Sequence, residues 1–203
     1  LTFESWVNWS GSTDKEWYPI ATQGWGASEA ARFFFGVAGG GWPACSGVPG
    51  PGQLHVEIHT SFSFGVCFSS DIPIEAGVWH HVAVVFDAGD ARIYIDGVER
   101  GSDSVPDPTL HEAISAPVFV GRMDAGGGFF FAGSQSSARY SSVARYGTTF
   151  TPSWPLESDD STLGLWRLDD DSDIAMDSSS HGHDGSIEGG EWIDDCPSLD
   201  EGA

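Results

Sequence analysis

The run "QLHVEIHT" places His55, Glu57 and His59 at i, i+2 and i+4. On an extended chain these three side chains share one face, while Leu54, Val56 and Ile58 take the other. Two imidazoles at that spacing can converge on a metal ion, with the carboxylate as a third ligand or as the partner that orients a ring. The polar face of a half-buried strand has the same pattern. A second constellation lies in "LDDDSDIAMDSSSHGHDG". Asp169, Asp171 and Asp173 have the 1, 3, 5 spacing of an oxygen-ligand loop, and Asp177 falls at position 9. Position 6 is Ile174 instead of Gly and position 12 is Ser180 instead of Glu, so an EF-hand is excluded. A looser calcium site is expected, built from Asp169, Asp171, Asp173 and Asp177 with carbonyls of the 178–185 turn and Asp184. A solvated acidic loop is the alternative. Asp124, ahead of Gly126-Gly127-Gly128, is a weaker second candidate.

Aromatic residues supply a third kind of chemistry. A sugar is bound by an exposed ring beside carboxylates, amides or hydroxyls that orient its own hydroxyls. The chain has 9 Trp, more than a core of this size needs to hide. Trp25 and Trp42 sit in Gly-rich loops, and Phe129, Phe130 and Phe131 run consecutively, so at least one ring must face away from the core. Trp25, Trp42 and Phe130 are therefore the candidate carbohydrate platforms, whereas alternation assigns Trp6, Trp79 and Trp166 to the core. No local Ser-His-Asp or Cys-His motif announces a nucleophile, and no catalytic residue is assigned.

Charge limits the partners. Lys+Arg 8 against Asp+Glu 30 gives −22, which excludes the basic clusters that nucleic acid or an anionic membrane requires. No apolar run approaches the ~20 residues of a membrane span. The chain opens on Leu1, as a mature or trimmed product would. Cys45 and Cys67 are close enough in sequence to close a loop, and a disulfide between them would suit an exported protein; Cys196 is left over. The sequon Asn8-Trp9-Ser10 lies within an expected strand and is expected to stay unmodified.

The elements that must position these residues are strands. In "GVWHHVAVVFDAGDARIYIDGVERG", residues 77–101, Val82, Val84 and Phe86 alternate with His81, Ala83 and Val85, and Ala88-Gly89 supplies hairpin chemistry before Ile93 and Ile95 resume the pattern. Further strands are expected over 1–9, 17–22, 32–37, 53–60, 62–69, 117–122, 129–132, 137–141 and 163–168, most of them bounded by Gly, Pro, Asp or Ser. No segment keeps a 3.6-residue period. Many short strands without helices predict an all-β, two-sheet antiparallel sandwich. Residues 1–193 are expected to form one domain, with 194–203 an acidic and disordered tail.

Several stretches resemble one family in order: "LTFESWVNW", "IATQGWG", the 77–101 hairpin, "APVFVGRMDAGGGFFFAG" and "ARYSSVARY". They are similar to laminin-G-like domains of the concanavalin A-like lectin/glucanase superfamily, bacterial extracellular type. The segment "LGLWRLDDDSDIAMDSSSHGHDGSIEGGEW" resembles the acidic stretch that flanks such domains. The resemblance implies a jelly roll, often with a calcium ion at its rim, used for binding glycans or proteins. It also makes His80 a packing residue with a hydrogen-bonded ring. Two departures stand out. Members carry an Ile-Asp-Glu triplet where this chain has Gln135-Ser136-Ser137. They also have a strand before the one matching Leu1 to Trp9, a slot left to residues 163–168 or to a neighbouring molecule. The Glu-x-Asp-x-x-Glu strand of the superfamily's glucanases, whose spaced carboxylates perform retaining hydrolysis, has no counterpart here. The expectation is a secreted or cell-surface, non-catalytic module that binds glycan or extracellular protein with calcium. Self-association, through a strand-like tail over 186–193 lent to a neighbour, is the alternative.

Overall fold

Alternation in the opening residues builds β1 (Thr2–Trp9), whose Phe3, Val7 and Trp9 enter the core. In the computed structural model, which describes residues 1–24, 32–41, 47–60, 63–106, 109–110, 116–123 and 128–197, two antiparallel sheets enclose that core. The strands that follow are β2 (Trp17–Gln23), β3 (Phe33–Ala38), β4 (Gln53–Thr60), β5 (Ser63–Pro73), β6 (Trp79–Asp87), β7 (Asp90–Ile95) and β8 (Val98–Ser104). After these come β9 (Val118–Val120), β10 (Gly133–Ser141), β11 (Thr162–Trp166) and the two-residue β12 (Ile174–Ala175) and β13 (Gly185–Ser186). One sheet has the order β11-β10-β1-β6-β7-β8 and the other β5-β4-β3-β2-β9, with β12 and β13 pairing separately.

The 77–101 stretch forms two successive hairpins. Asp87 pairs with Asp90 across Ala88 (φ 50°) and Gly89 (φ 99°), and Ile95 pairs with Val98 across Asp96 (φ 50°) and Gly97 (φ 76°). Both central residues of each turn have positive φ, the geometry that follows the right-handed twist of the flanking strands. Gly97 is further constrained because a Cβ there would lie 1.8 Å from the Phe150 carbonyl oxygen.

Both faces of the six-stranded sheet are covered. Val82, Val84, Phe86, Ile93 and Ile95 face the main core, while Ala83, Val85 and Tyr94 pack under Tyr146 and Phe150 of the loop that follows β10. Beneath this loop lies a buried polar cluster that the sequence does not announce. Glu4 and His81 are both fully buried, and His81 Nε2 stands 3.0 Å from Glu4 Oε2. Arg139 Nε donates to Glu4 Oε1 at 2.9 Å, and the Tyr146 hydroxyl donates to Glu4 Oε2 at 2.8 Å. Burial alone would raise the Glu4 carboxyl, but hydrogen bonding and charge from His81, then the charge of Arg139 and the Tyr146 hydrogen bond, hold it below the ordinary value. Burial, followed by the charge of Glu4, pushes the Tyr146 phenol up.

The sandwich is closed along one side and open along the other. β5 and β8 lie against each other, so close that a Cβ on Gly101 would be 2.8 Å from the Ser69 carbonyl oxygen. On the opposite side, β9 ends one sheet and β11 the other. Gln135 spans that gap by donating from Nε2 to the Ile20 carbonyl at 3.2 Å, and Tyr140 reaches Gln23 Oε1 at 3.4 Å. Residues 168–197 form a strap across the opening. It is held at one end where Leu165 N–H donates to Asp177 Oδ1 and Ser178 N–H donates to the Leu165 carbonyl.

Three expectations change. The strand foreseen over 129–132 is the return arm of a short hairpin, bridged through Arg122 and Phe130. β10 starts at Gly133 instead of Ser137, because pairing with β1 extends it over four residues that are small or polar and carry no apolar alternation. The strand-like tail over 186–193 reduces to β13, which pairs inside the chain with β12; Gly189, at φ 72°, lies beyond it.

Candidate functional site

The open side of the sandwich is a groove with a volume of about 1780 Å³. Its floor holds Gln23, Gln135, Ser136, Ser137 and Tyr140, one wall is β9 with its following hairpin, and the other is the strap. On the β9 wall the Phe130 ring is 53 % exposed, while Phe131 turns toward the core. The Arg122 guanidinium lies 5.2 Å from the Phe119 ring centroid and 5.9 Å from that of Phe130, and it pairs with Glu188 of the strap across the groove. The face of an aromatic ring attracts a cation, so Arg122 orders the ring that it covers. On the facing wall Trp166 donates its indole N–H to the His183 carbonyl at 2.8 Å, and Trp192 donates to the Ser172 carbonyl at 3.0 Å.

Ser137 is the most strained residue of the floor. Ser5 pairs with Ala138 and Trp6 with Ser136, so Ser137 is the extra residue of a β-bulge, and its φ is 57°. Its backbone N–H reaches the Arg167 carbonyl at 3.1 Å, but among the described residues its buried Oγ has no hydrogen-bond partner. A serine in the left-handed region with an unpartnered buried hydroxyl costs free energy on two counts, and such costs collect at sites of function.

The carboxylates expected to hold calcium divide between two tasks. Asp169, Asp171 and Asp184 line the groove, and Asp173 and Asp177 do not. Asp177 fixes the strap: its Oδ1 accepts from the N–H groups of Leu165 and Ser179, and its Oδ2 from His183 N–H and the Ser179 hydroxyl. Burial alone would raise its carboxyl, yet the Leu165, His183 and Ser179 donors outweigh that and leave it below the ordinary range. With four donors on two oxygens, Asp177 has no lone pair for a cation. Asp184 Oδ1 in turn accepts from the Asp177 N–H at 2.9 Å. Trp25, Trp42, Cys45 and Asp124 lie outside the described residues.

The strand-face reading of His55 needs correction. His55 is fully buried on the outer side of its sheet, 4.7 Å from the Trp17 ring and beside Phe34. Its Nδ1 is 2.8 Å from Ser69 Oγ and its Nε2 is 3.2 Å from Glu57 Oε1. Among the described residues, the group of three that could share a metal is His55, Glu57 and Cys67, so the third member comes from the next strand and is not His59. Cys67 is Glu57's register partner across the sheet, a pairing that spacing within one strand cannot reveal. Because Cys67 is disulfide-bonded and offers no thiolate, this group is not a metal site while that bond stands. Cys196 is a free, exposed thiol. His80 Nδ1 lies 2.7 Å from Asp96 Oδ2 and its Nε2 accepts from Glu75 N–H, the ring-bonded role expected of it.

A sequence profile of the concanavalin A-like lectin/glucanases superfamily matches residues 1–154. No match is found among curated proteins. Among solved structures, a candidate carbohydrate-binding protein from Bacteroides ovatus superposes with a TM-score of 0.66 at 18 % identity, over 91 % of this chain and 50 % of its own. The heptameric SAP-like pentraxin from Limulus polyphemus gives 0.50 at 19 % identity, over 81 % of each chain. At these identities the likeness is one of fold, and the chain spans half the length of the Bacteroides protein.

Proposed function

Since the chain belongs to the concanavalin A-like lectin/glucanases superfamily, we propose that it is a secreted, non-catalytic carbohydrate-binding module whose site is the open-side groove. The observation that carries the reading is Phe130, a ring 53 % exposed over a trough of amide, hydroxyl and carboxylate groups. That combination suits a sugar, whose C–H faces stack on a ring while its hydroxyls seek donors and acceptors. The groove exceeds the ~300–1000 Å³ of small-molecule pockets, which favours an extended oligosaccharide over a single residue. The disulfide at Cys67 supports an oxidising, extracellular compartment. Calcium enters this reading as a proposal: of the five aspartates expected to hold it, Asp169, Asp171 and Asp184 line the groove, whereas Asp177 is engaged by its four donors.

The test is a glycan array probed with calcium and again with EDTA, followed by titration of Phe130→Ala on the best hit. The reading expects a saturable signal that weakens about five- to tenfold in the variant, equivalent to ~1–1.4 kcal/mol of lost contact. Sugar chains recovered uncut agree with a non-catalytic module, and cleavage products would overturn that part. Loss of signal on chelation would support the metal. Silence in both arms, together with large assemblies by light scattering, would replace binding with the alternative of self-assembly by strand exchange.

A further inference from the structure

We propose that the groove selects glycan chains carrying protonated amines, of the de-N-acetylated amino-sugar class, over neutral or anionic glycans. This rests on the binding reading above and names its ligand class. The strap wall presents Asp169, Asp171, Asp184, Glu191, Asp194 and Asp195 to the groove. On the facing wall the Arg122 guanidinium is already paired with Glu188. Among the described residues of the lining, Arg167 is then the cation left beside these six carboxylates. An anionic chain entering this trough meets repulsion along its whole length, a neutral one meets none and gains no attraction, and a chain of ammonium groups gains at each repeat.

Acidic residues alone would be an ordinary solvated surface on a chain of net charge −22. Two observations make the groove more than that. Ser137 is 1 % exposed at the floor, on a bulge that places the extra residue there, and its buried hydroxyl has no partner among the described residues. Opposite the carboxylates stands the exposed Phe130 ring, so a chain lying in the groove is flanked by an aromatic face and by anions. An ammonium sugar uses both sides, because a cation also interacts favourably with a ring face. The carboxylates are spread along the strap instead of converging on one point: among the described residues no three of them bring ligand atoms within 4.8 Å of one another. A distributed set of charges suits a polymer with repeated cations better than one metal ion.

The experiment is calorimetric titration of the whole chain with a β-1,4-linked glucosamine hexamer, its fully N-acetylated counterpart and a neutral glucose hexamer. Each is run at low and high salt, between about 0.01 M and about 1 M, where the screening length falls from ~30 Å to ~3 Å. The amine hexamer is expected to bind at least tenfold more tightly than the other two at low salt, with the advantage falling to about twofold at high salt. Asp169→Asn with Asp171→Asn is expected to cut the advantage at least threefold. Asp71→Asn with Asp103→Asn, exposed carboxylates of β5 and β8 on the closed side, is expected to leave it unchanged. An equal loss from both pairs would mean diffuse attraction to an acidic protein and would overturn the proposal. Equal binding of all three hexamers, sensitive to Phe130→Ala, would overturn charge selection while the carbohydrate reading stands. Absence of binding by any hexamer would overturn the proposal, and a silent glycan array beside it would remove the carbohydrate reading too.

Discussion

Glu4→Gln is the substitution by which the buried cluster on the six-stranded sheet can be weighed. Glu4 is fully buried and answers three donors: His81 at 3.0 Å, Arg139 at 2.9 Å and Tyr146 at 2.8 Å. Glutamine keeps the shape and can still accept from Arg139, but it removes the charge that balances the guanidinium. The Arg139 side chain is only 8 % exposed, so water cannot replace that charge. Removing one side of a buried ion pair costs about 3–5 kcal/mol, and the isosteric change should fall at the lower end, near ~3 kcal/mol. In a domain of this length each kcal/mol moves Tm by roughly 2–4 °C, so a fall of about 6–12 °C is expected at neutral pH. Differential scanning calorimetry with urea titration would measure it. Asp90→Asn provides the contrast: Asp90 is 57 % exposed, pairs with Arg92 at 3.4 Å, and should cost no more than ~0.5 kcal/mol. If Glu4→Gln moves Tm by less than about 2 °C, or no further than Asp90→Asn does, burial is not what gives the cluster its weight.

Two further outcomes follow from the same geometry. The Glu4 carboxyl titrates below its ordinary value of 4.5 in the folded chain, so its stabilisation is full above that pH and is lost as pH falls through the folded value. Urea midpoints of the parent should therefore drop more steeply below about pH 4.5 than those of Glu4→Gln, and parallel profiles would contradict the assignment. Asp177→Ala removes the acceptor for the Leu165, Ser179 and His183 amides. Hydrogen exchange at those three amides is expected to quicken about tenfold with Tm within about 3 °C of the parent, since the strap lies outside the core; unchanged exchange would mean that Asp177 does not fix the strap.

Much of the sandwich is legible because period-2 alternation and positive-φ turn residues are local properties. Val82, Val84 and Phe86 give β6 its inward face, and Ala88-Gly89 and Asp96-Gly97 give the turns at the two ends of β7, without reference to anything distant. The failures have a common physical cause. β10 begins in Gly133-Ser134-Gln135-Ser136, where pairing with β1 rather than side-chain pattern makes the strand. His55 looks solvated from its own strand but is buried because Trp17 and Phe34 come from two other strands. Phe130 was readable as an outward ring from three consecutive phenylalanines. Its companions in the groove, Gln135, Ser137 and Trp192, were not, since they meet only once the sheet edges and the strap are assembled. Asp177 has a ligand's spacing to the other aspartates, yet its oxygens are taken by three backbone amides and the Ser179 hydroxyl, which no spacing rule counts.

The groove has two walls of different construction. The β9 side is part of a sheet and shares its register with β2, so its residues are bound to the core through Ala21, Thr22 and Gln23. The strap is tied to itself by a two-residue ladder and to the sandwich chiefly through Leu165, Trp166 and the Arg122–Glu188 pair. Insertions or deletions between its ties would alter groove width and charge while leaving the folding of the sandwich untouched. Ligand preference in such an architecture can drift on a separate clock from stability, and two chains with nearly superposable sheets can diverge in what they hold.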